Sequence, residues 1–243
     1  MFYSAQCYRI THSGCRQIHT MMTRIQGVLD HRQLQAAQRL ISEGRFMDGG
    51  RSAGMAARRV KLNEELSLAD ARLRELNNIV MGSLVKHPTY QSAAMPLRIA
   101  TPFYARYTSG MAYGNHVDDP IMGQGDLYRT DVSVTIFLNA PDEYQGGELV
   151  IQTAFGEQQV KLPAGDAVLY PSSSVHRVAE ISAGERLVAV SWIQSLIRDP
   201  DKRALLHELN QARETLLHDK PDADETRQVN HSYINLVRMW SEI

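Results

Sequence analysis

The β-rich half of the chain, residues 96–198, constrains the fold most. Apolar side chains occupy every second position from 132 to 138. This period of two is that of a strand, because alternate side chains of a strand share one face. Similar short runs recur along these residues, and glycine or proline separates them, as at Gly146-Gly147 and Pro163. About eight short strands with such turns are typical of a jelly roll or a related barrel.

The remaining strands follow from the same pattern. Residues 119–130 contain Pro120, Gly123 and Gly125, and we expect a loop there. We expect strands at residues 57–62, 98–107, 113–118, 132–138, 146–150, 157–162, 167–170, 175–181 and 186–195.

Helices are predicted on both sides of these strands. Residues 28–41 and 68–85 place leucines and other apolar residues at helical spacing. His87-Pro88 should end the second helix, because a residue before proline avoids the helical region. Asp199 followed by Pro200 is typical of a helix start, and residues 226–240 predict a last helix. The fold class is therefore mainly β with flanking helices (α+β), a jelly roll with N-terminal and C-terminal helices.

These elements divide the chain into four parts. Residues 22–95 form an N-terminal helical support region, 96–198 the barrel core and 199–243 a C-terminal helical region. Residues 1–21 contain no acidic residue and no apolar period, and they lack the hydrophobic segment of a secretory signal. We expect a disordered tail, or an extended start before an initiator at Met21 or Met22. A transit peptide is the weaker alternative.

Composition excludes several classes of protein. A formal net charge of −1 gives no electrostatic footprint for nucleic acid. The two cysteines are Cys7 and Cys15, so the rest of the chain has no disulfide, which is typical of a reducing compartment. No apolar run reaches the length of a membrane span. We expect a cytoplasmic protein without a nucleic-acid or membrane partner, and its C-terminal helices either cover the barrel or form a homodimer contact.

Three residues near the predicted strands have the character of metal ligands: His116, Asp118 and His176. Residues two apart on a strand face the same side, so His116 and Asp118 should enter one cavity while Val117 packs behind them. Two imidazoles and one carboxylate on one face of a metal are the ligand set of non-haem iron(II) oxygenases. This set leaves coordination positions open for substrate and dioxygen.

Arg186 follows ten residues after His176 and adds a charge to the same part of the barrel. A buried arginine needs an anionic partner, because an unpaired buried charge is strongly destabilising. A planar guanidinium binds a carboxylate through two parallel hydrogen bonds. The simplest partner is a dicarboxylate cosubstrate. Ser133 and Ser191, which interrupt otherwise apolar strands, agree with a polar cavity.

From about Phe46 to the C-terminus, the chain resembles the bacterial PKHD-type hydroxylases, which are prolyl 4-hydroxylase-like Fe(II)/2-oxoglutarate-dependent dioxygenases. The segments that carry the resemblance are Arg106-Tyr107 to Asp118, Arg129-Thr-Asp131-Val-Ser133, Phe137 to Leu149, Leu162-Pro-Ala-Gly-Asp166, Leu169 to His176, and Arg186 to Asp199.

The resemblance implies a double-stranded β-helix that binds Fe(2+) through His116, Asp118 and His176, as both catalytic and metal-binding residues. It also implies that 2-oxoglutarate binds at Arg186, that O2 is consumed, and that the enzyme depends on L-ascorbate.

Further residues are weaker candidates for contact with 2-oxoglutarate. Tyr107 and Tyr113 stand where related hydroxylases place tyrosines near the cosubstrate. Phe137 stands where some relatives have a tyrosine whose hydroxyl helps to hold the distal carboxylate. The arginine should therefore do more of this work, together with Ser133 or Ser191.

The expected activity is hydroxylation of an unidentified substrate with release of succinate and CO2. The substrate is either a prolyl- or lysyl-type peptide or a small iron-related metabolite, and the loop 119–130 is the expected contact. One alternative is a non-catalytic sensor module that binds iron or 2-oxoglutarate on the same fold. Another is a cupin-like metalloenzyme without a 2-oxo acid, against which Arg186 argues.

Overall fold

The computed structural model describes residues 22–243 except Ala53, Ala56 and Gln124. The predicted tail, residues 1–21, lies outside the described residues. The helices are α1 (His31–Ser42), α2 (Leu73–Leu84), α3 (Pro88–Ala94), α4 (Pro200–Asp219) and α5 (Asp224–Trp240).

The strands are mostly short. In chain order they are β1 (Thr23–Ile25), β2 (Phe46–Asp48), β3 (Lys61–Leu62), β4 (Glu64–Leu66), β5 (Pro96–Ile99), β6 (Phe103–Tyr107), β7 (Ala112–His116), β8 (Ile121–Met122), β9 (Tyr128–Arg129), β10 (Val132–Phe137), β11 (Tyr144–Gly146), β12 (Leu149–Thr153), β13 (Gly156–Val160), β14 (Ala167–Pro171), β15 (His176–Val178), β16 (Ile181–Gly184) and β17 (Arg186–Ser195).

Two antiparallel sheets form the barrel. The larger sheet has the strand order β1-β14-β10-β17-β6-β4-β2, with β5 also paired to β17. The smaller sheet has the order β13-β12-β15-β7-β3. Phe137 and Tyr107 of the larger sheet share one apolar cluster with Leu149 and Ile151 of the smaller sheet. The two sheets therefore enclose a common interior, and the predicted jelly roll with flanking helices is confirmed.

Strand β10 separates this interior from the helices, and its six residues are all buried. Val132, Val134 and Ile136 belong to a cluster with α1 and α2, whereas Phe137 belongs to the interior cluster. Because side chains alternate along a strand, Ser133 shares the inner face with Phe137. The period of two that predicted this strand thus also separates the helix-packing face from the cavity face.

The N-terminal helices pack against the outer face of the larger sheet. Helix α1 begins with a capping box, in which Asp30 accepts from the Gln33 backbone and the Gln33 side chain accepts from the Asp30 backbone. Its buried residues Ala37, Leu40 and Ile41 join the cluster that contains the outward side chains of β10. Helix α1 therefore packs its apolar face on this side of the sheet.

The C-terminal helices form a second layer. Helices α4 and α5 pack against each other, and Leu206 of α4 contacts a small cluster with Met95 and Ile197. Side chains of α5, including Trp240, pack on this cluster. The homodimer remains a prediction. Within the described residues, no helix combines the length and the apolar character that crossing a membrane requires.

Some predicted boundaries are wrong, and proline accounts for two of them. The single strand 98–107 is instead β5 and β6, which are separated at Pro102, a residue without a backbone donor. Pro88 starts α3 rather than only closing α2, because proline is well accommodated in the first helical turn. The loop 119–130 contains the short hairpin β8–β9.

Residues before 96 take part in both sheets. β1 pairs with β14 and β4 pairs with β6 in the larger sheet, and β3 pairs with β7 in the smaller one. The division of the chain into four parts remains a prediction, but the segment 61–66 connects the two sheets directly.

Candidate active site

The two predicted histidine ligands lie on neighbouring strands of the smaller sheet. His116 ends β7, His176 begins β15, and the two residues face each other in the antiparallel register. Their ring centroids are 4.2 Å apart. Strand pairing therefore places two imidazoles side by side at the edge of the interior, although 60 residues separate them in the sequence.

Asp118 completes the group from just beyond the end of β7. Its Oδ1 lies 3.8 Å from Nε2 of His116 and 3.7 Å from Nε2 of His176. The three ligating atoms lie within 4.8 Å of one another. The expected convergence is present, but the expected local structure is not. Val117 does not pack behind the pair and is 47% exposed, because the chain leaves the sheet after His116.

Backbone carbonyls fix the tautomers of both histidines. His116 Nδ1 lies 2.8 Å from the Gly114 carbonyl oxygen, and His176 Nδ1 lies 3.0 Å from the Ser174 carbonyl oxygen. A carbonyl only accepts, so both Nδ1 atoms donate and both Nε2 atoms carry a lone pair. Burial, followed by the neighbouring His176, lowers the pKa of His116 to about 4. The neutral imidazole that a metal requires is therefore the favoured form.

The other oxygen of Asp118 has a separate partner. Ser133 Oγ donates to Asp118 Oδ2 across 2.5 Å and lies 2.8 Å from Ser172 Oγ. Ser191, the second polar residue within the predicted strands, is turned away and donates to the Ala100 carbonyl oxygen across 2.8 Å. The expected contact of Ser133 with 2-oxoglutarate remains a prediction.

Arg186 begins β17 on the inner face and is 1% exposed. Its guanidinium carbon lies 5.2 Å from the Tyr107 ring centroid and 5.6 Å from the Phe137 ring centroid. In the described part of the chain it makes no ion pair with a carboxylate, and its Nε has no hydrogen-bond partner. A buried cation in this state is a binding position for an anion, and the arginine therefore fits a dicarboxylate.

The two predicted tyrosines line the same cavity. The ring of Tyr113 stacks on His116, with centroids 3.6 Å apart and an interplanar angle of 14°. Tyr107 pairs with Arg186 between neighbouring strands. Burial raises the pKa of Tyr107 to about 12, although Arg186 opposes the increase. Its hydroxyl thus stays protonated and can donate a hydrogen bond.

The cavity has a volume of about 200 Å³ and has a third wall that sequence reasoning missed. Lys61, Asn63 and Glu65 line it from the segment that connects the two sheets. Lys61 Nζ lies 2.5 Å from Glu65 Oε1, and their side chains are only 9% and 12% exposed. Polar residues at positions 61, 63 and 65 have the period of a strand, which is the signal that could have indicated an inward face.

Loop 119–130, the predicted substrate contact, borders the cavity through Asp119 and Met122. Gly54 allows this approach from the opposite side, because a Cβ there would lie 3.2 Å from Asp119 Oδ2. The cavity is thus bounded by the two sheets, the connecting segment and this loop.

Two family models match the chain. The 2OG-Fe(II) oxygenase superfamily model matches residues 102–194, and the PKHD-type hydroxylase C-terminal domain model matches residues 201–242. The first match includes His116, Asp118, His176 and Arg186.

Curated relatives match almost the whole chain. A PKHD-type hydroxylase of Thioalkalivibrio sulfidiphilus is 54% identical over 224 residues, covering 92% of this chain and 100% of the relative. One of Thermosynechococcus vestitus is 43% identical over 224 residues, with the same coverage of 92% and 100%.

Solved structures share the fold at low identity. A prolyl hydroxylase of Trichoplax adhaerens, in complex with a hypoxia inducible factor peptide fragment, has a TM-score of 0.55 and 18% identity, covering 76% of this chain and 86% of that chain. A 2OG-Fe(II) oxygenase family oxidoreductase of Burkholderia pseudomallei has a TM-score of 0.55 and 16% identity, covering 74% and 86%.

The relatives are named hydroxylases, so these comparisons support an oxidoreductase and do not support the non-catalytic sensor. The family implies Fe(2+), 2-oxoglutarate and O2, and the donor atoms of the two histidines and the aspartate fit such a metal. The chain belongs to the PKHD-type hydroxylase family of 2OG-Fe(II) oxygenases.

Proposed function

We propose that this hydroxylase binds iron through His116 Nε2, Asp118 Oδ1 and His176 Nε2, and hydroxylates a C–H bond of an organic substrate with release of succinate and CO2. The observation that supports this most is that three convergent donor atoms share a cavity with a buried guanidinium, which makes no ion pair with a carboxylate of the described residues. When bound, the iron and its cosubstrate supply the activation of dioxygen, whereas the chain supplies ligands, orientation and exclusion of water.

The cosubstrate is oriented from the inner face of the larger sheet. The Arg186 guanidinium binds the distal carboxylate of 2-oxoglutarate, because a planar fork of donors matches a carboxylate. The protonated hydroxyl of Tyr107, on the adjacent strand, would donate to the same molecule. Arg186 and the three candidate metal ligands line the same cavity, so a bound keto acid would contact both. Dependence on L-ascorbate, which the family resemblance implies, is part of this proposal.

Aromatic and apolar side chains form part of the cavity wall and would keep water from the bound groups. Phe103 and Trp192 meet edge to face with centroids 5.7 Å apart, and both line the cavity together with Val190. A dry environment strengthens the electrostatic interactions of the bound groups and suppresses side reactions with water. These side chains therefore protect the reacting centre without taking part in it.

The substrate enters between the connecting segment and loop 119–130. The cavity of about 200 Å³ is smaller than the roughly 300–1,000 Å³ of pockets that enclose a drug-sized ligand. It holds the cosubstrate and one reacting group, while the remainder of a larger substrate lies outside. A side chain of a prolyl- or lysyl-type peptide meets this condition, and so does a small iron-related metabolite. Cytoplasmic location and the lack of a nucleic-acid partner remain predictions.

The test is an anaerobic titration of 2-oxoglutarate into the Fe(II)-loaded protein, followed by visible absorption. We expect the weak charge-transfer band of the iron–keto acid chelate in the wild type and its loss in His176→Ala. A matched control is His218→Ala. This histidine lies on α4, and its side chain is 89% exposed. Absence of the band in folded, iron-loaded wild type would contradict the proposal.

A further inference from the structure

The carboxylate of Asp118 accepts a hydrogen bond from one buried serine, which is itself hydrogen-bonded to a second buried serine. Ser133, on β10, is 0% exposed, and Ser172, just after β14, is 2% exposed. The distances are 2.5 Å from Ser133 Oγ to Asp118 Oδ2 and 2.8 Å from Ser172 Oγ to Ser133 Oγ. We call these three side chains the hydroxyl chain.

The chemistry of the groups fixes the direction of both hydrogen bonds. An ionised carboxylate only accepts, and a serine hydroxyl has one proton to give. Ser133 therefore donates to Asp118, and Ser172 must donate to Ser133. Hydrogen bonds to a carboxylate are among the strong ones, and consecutive bonds polarise each other. This use of its single proton competes with the contact to 2-oxoglutarate that the sequence predicted for Ser133.

This arrangement separates the two oxygens of the carboxylate. Oδ2 faces the serines, whereas Oδ1 faces both histidine Nε2 atoms at 3.8 and 3.7 Å. Free rotation of the carboxylate about its terminal bond would exchange the two oxygens, and the bond from Ser133 opposes this rotation. The bond from Ser133 thus keeps Oδ1 turned towards the two histidines.

We propose that Ser133, supported by Ser172, is a positioning residue that makes Asp118 a ligand through Oδ1 alone. This inference rests on the proposed function, because it gives the serines a role towards an iron ligand. A carboxylate bound through one oxygen occupies one coordination position, so that the positions needed by the keto acid and dioxygen stay open. Outer partners of metal ligands typically change metal affinity by about 10–100-fold when they are removed.

Burial alone does not account for the two serines. A hydroxyl in an apolar interior is unfavourable unless it is hydrogen-bonded. Phe137 and Val188, on the inward faces of β10 and β17, are apolar, although Thr135, the inward neighbour of Ser133, is a further buried hydroxyl. Ser191 gives the contrast. It is also buried, but it lies on the opposite face of β17 and bonds only to a backbone carbonyl.

The experiment measures Co(II), a redox-stable probe for the iron position, by equilibrium titration and visible absorption. We expect Ser133→Ala to weaken Co(II) binding about 10–100-fold and to change the Co(II) absorption bands, because both carboxylate oxygens become free to bind. Ser133→Thr keeps the hydroxyl and should restore both the affinity and the spectrum. Ser191→Ala is the matched control and should leave both unchanged.

Ser172→Ala tests the outer bond and also serves if Ser133→Ala does not fold. It should weaken Co(II) binding by less than Ser133→Ala, with a smaller change in the same bands. Wild-type affinity and an unaltered spectrum in Ser133→Ala, or in Ser172→Ala if only that variant folds, would overturn the inference. So would a failure of Ser133→Thr to recover either property.

A metal-free measurement separates this inference from the proposed function. In crystals of metal-free Ser133→Ala, the Asp118 carboxylate should be rotated or occupy more than one orientation, and an unchanged orientation counts against the positioning role. If the wild type itself binds neither Co(II) nor 2-oxoglutarate, the proposed function fails, whatever the orientation of the carboxylate.

Discussion

Arg186 and Tyr144 are buried neighbours, and each has one polar atom without a partner. Arg186 Nε and the Tyr144 hydroxyl have no hydrogen bond among the described residues. Burial raises the pKa of Tyr144, and the adjacent Arg186 opposes the increase. Gly147 makes room for both, because a Cβ there would lie 3.1 Å from Arg186 Cδ and from Tyr144 Cε2. The Tyr144 hydroxyl therefore lies beside Arg186, whereas Phe137, which also packs beside Arg186, has no hydroxyl.

Replacement of Arg186 should weaken the binding of the cosubstrate and leave the binding of the metal unchanged. We expect Arg186→Ala to raise the dissociation constant of 2-oxoglutarate about 100-fold, because charge-assisted hydrogen bonds are lost, each of about 1.5–3 kcal/mol. Anaerobic titration of the Fe(II)-loaded variant measures this change. Co(II) affinity, which should stay at the wild-type value, shows that the site is still folded. An unchanged requirement for 2-oxoglutarate would remove the assigned role.

A smaller effect is expected from Tyr144→Phe, which deletes only the hydroxyl. The dissociation constant of 2-oxoglutarate should rise about tenfold, since the variant cannot make the hydrogen bond expected between this hydroxyl and the carboxylate held by Arg186. The same titration measures it. Tyr104→Phe is the control, because the Tyr104 hydroxyl donates to Asn77 Oδ1 across 2.8 Å on the other face of the larger sheet. Equal effects of the two variants would contradict a specific role of Tyr144.

At the residue scale, the sequence predicted more of the candidate metal ligands than of their surroundings. His116, Asp118 and His176 were found because a short motif and the strand context restrict where such residues meet. Ser133 was identified as polar and inward, but its partner depends on how the chain turns after His116. Such a turn follows from tertiary packing, which a local pattern does not contain.

At the scale of the elements, the segment 61–66 that connects the two sheets contains a nearly buried ion pair. Lys61 and Glu65 lie beside the interior with Ser52, whose Oγ is 2.8 Å from Lys61 Nζ and 2.9 Å from Glu65 Oε1. The two charges neutralise each other, so neither side chain needs a charged group of the substrate as its partner.

Single and double replacements of this pair should differ. We expect Lys61→Met to lower the free energy of unfolding by about 3 kcal/mol, because it leaves a buried carboxylate unpaired. Adding Glu65→Gln should recover part of this loss, since no unpaired charge remains. Urea unfolding of both single variants and the double variant measures the coupling. Strictly additive losses would show that the two side chains act independently.

Helices α3 and α4 are joined by a contact that should respond to acid. His207 of α4 is 8% exposed, and its ring nitrogens lie 3.0 Å from Ser92 Oγ and 2.9 Å from Gln211 Nε2. Burial lowers the pKa of His207, while Glu208 and Glu214 oppose the decrease. The unfolded chain therefore takes up the proton at higher pH than the folded chain does.

The stability contributed by neutral His207 should be complete above pH 6.5, the ordinary value for this group, and should be lost as the pH falls below it towards the lowered pKa. Between pH 7.5 and 5.5 we expect a loss of up to about 1 kcal/mol in the free energy of unfolding. His207→Gln should show a smaller loss over the same range. Urea unfolding at the two pH values measures this, and an equal loss in both proteins would refute it.

At the scale of the elements, the strands and helices with long apolar repeats were the most predictable. The alternation in β10 and the helical stripes of α1 and α2 were identified because each repeats over several residues. Helix α3 was missed because it has seven residues and begins at the proline that was expected only to end α2. The segment 61–66 was missed as a wall of the site because its two strands are short and each pairs with a different sheet.

At the scale of the whole molecule, the metal and the cosubstrate should stabilise the contact between the two sheets. The histidines belong to the smaller sheet and Arg186 to the larger one, so bound groups contact both. A ligand present at about 100 times its dissociation constant stabilises the folded state by about 2.7 kcal/mol.

We therefore expect Co(II) with 2-oxoglutarate to raise the Tm by about 5–10 °C, from roughly 2–4 °C per kcal/mol for a chain of this size. Removal of the metal with a chelator should reverse the increase. Differential scanning calorimetry measures it, with Asp118→Ala as the variant that should show no increase. A full increase in that variant would place the binding elsewhere.

The third wall of the cavity has a consequence for protein engineering. Lys61, Asn63 and Glu65 lie before residue 102, where the match to the oxygenase model begins, yet they border the same space as the candidate metal ligands. A version shortened to the matched stretch would lack this side of the cavity. A minimal catalytic unit should therefore begin before Lys61.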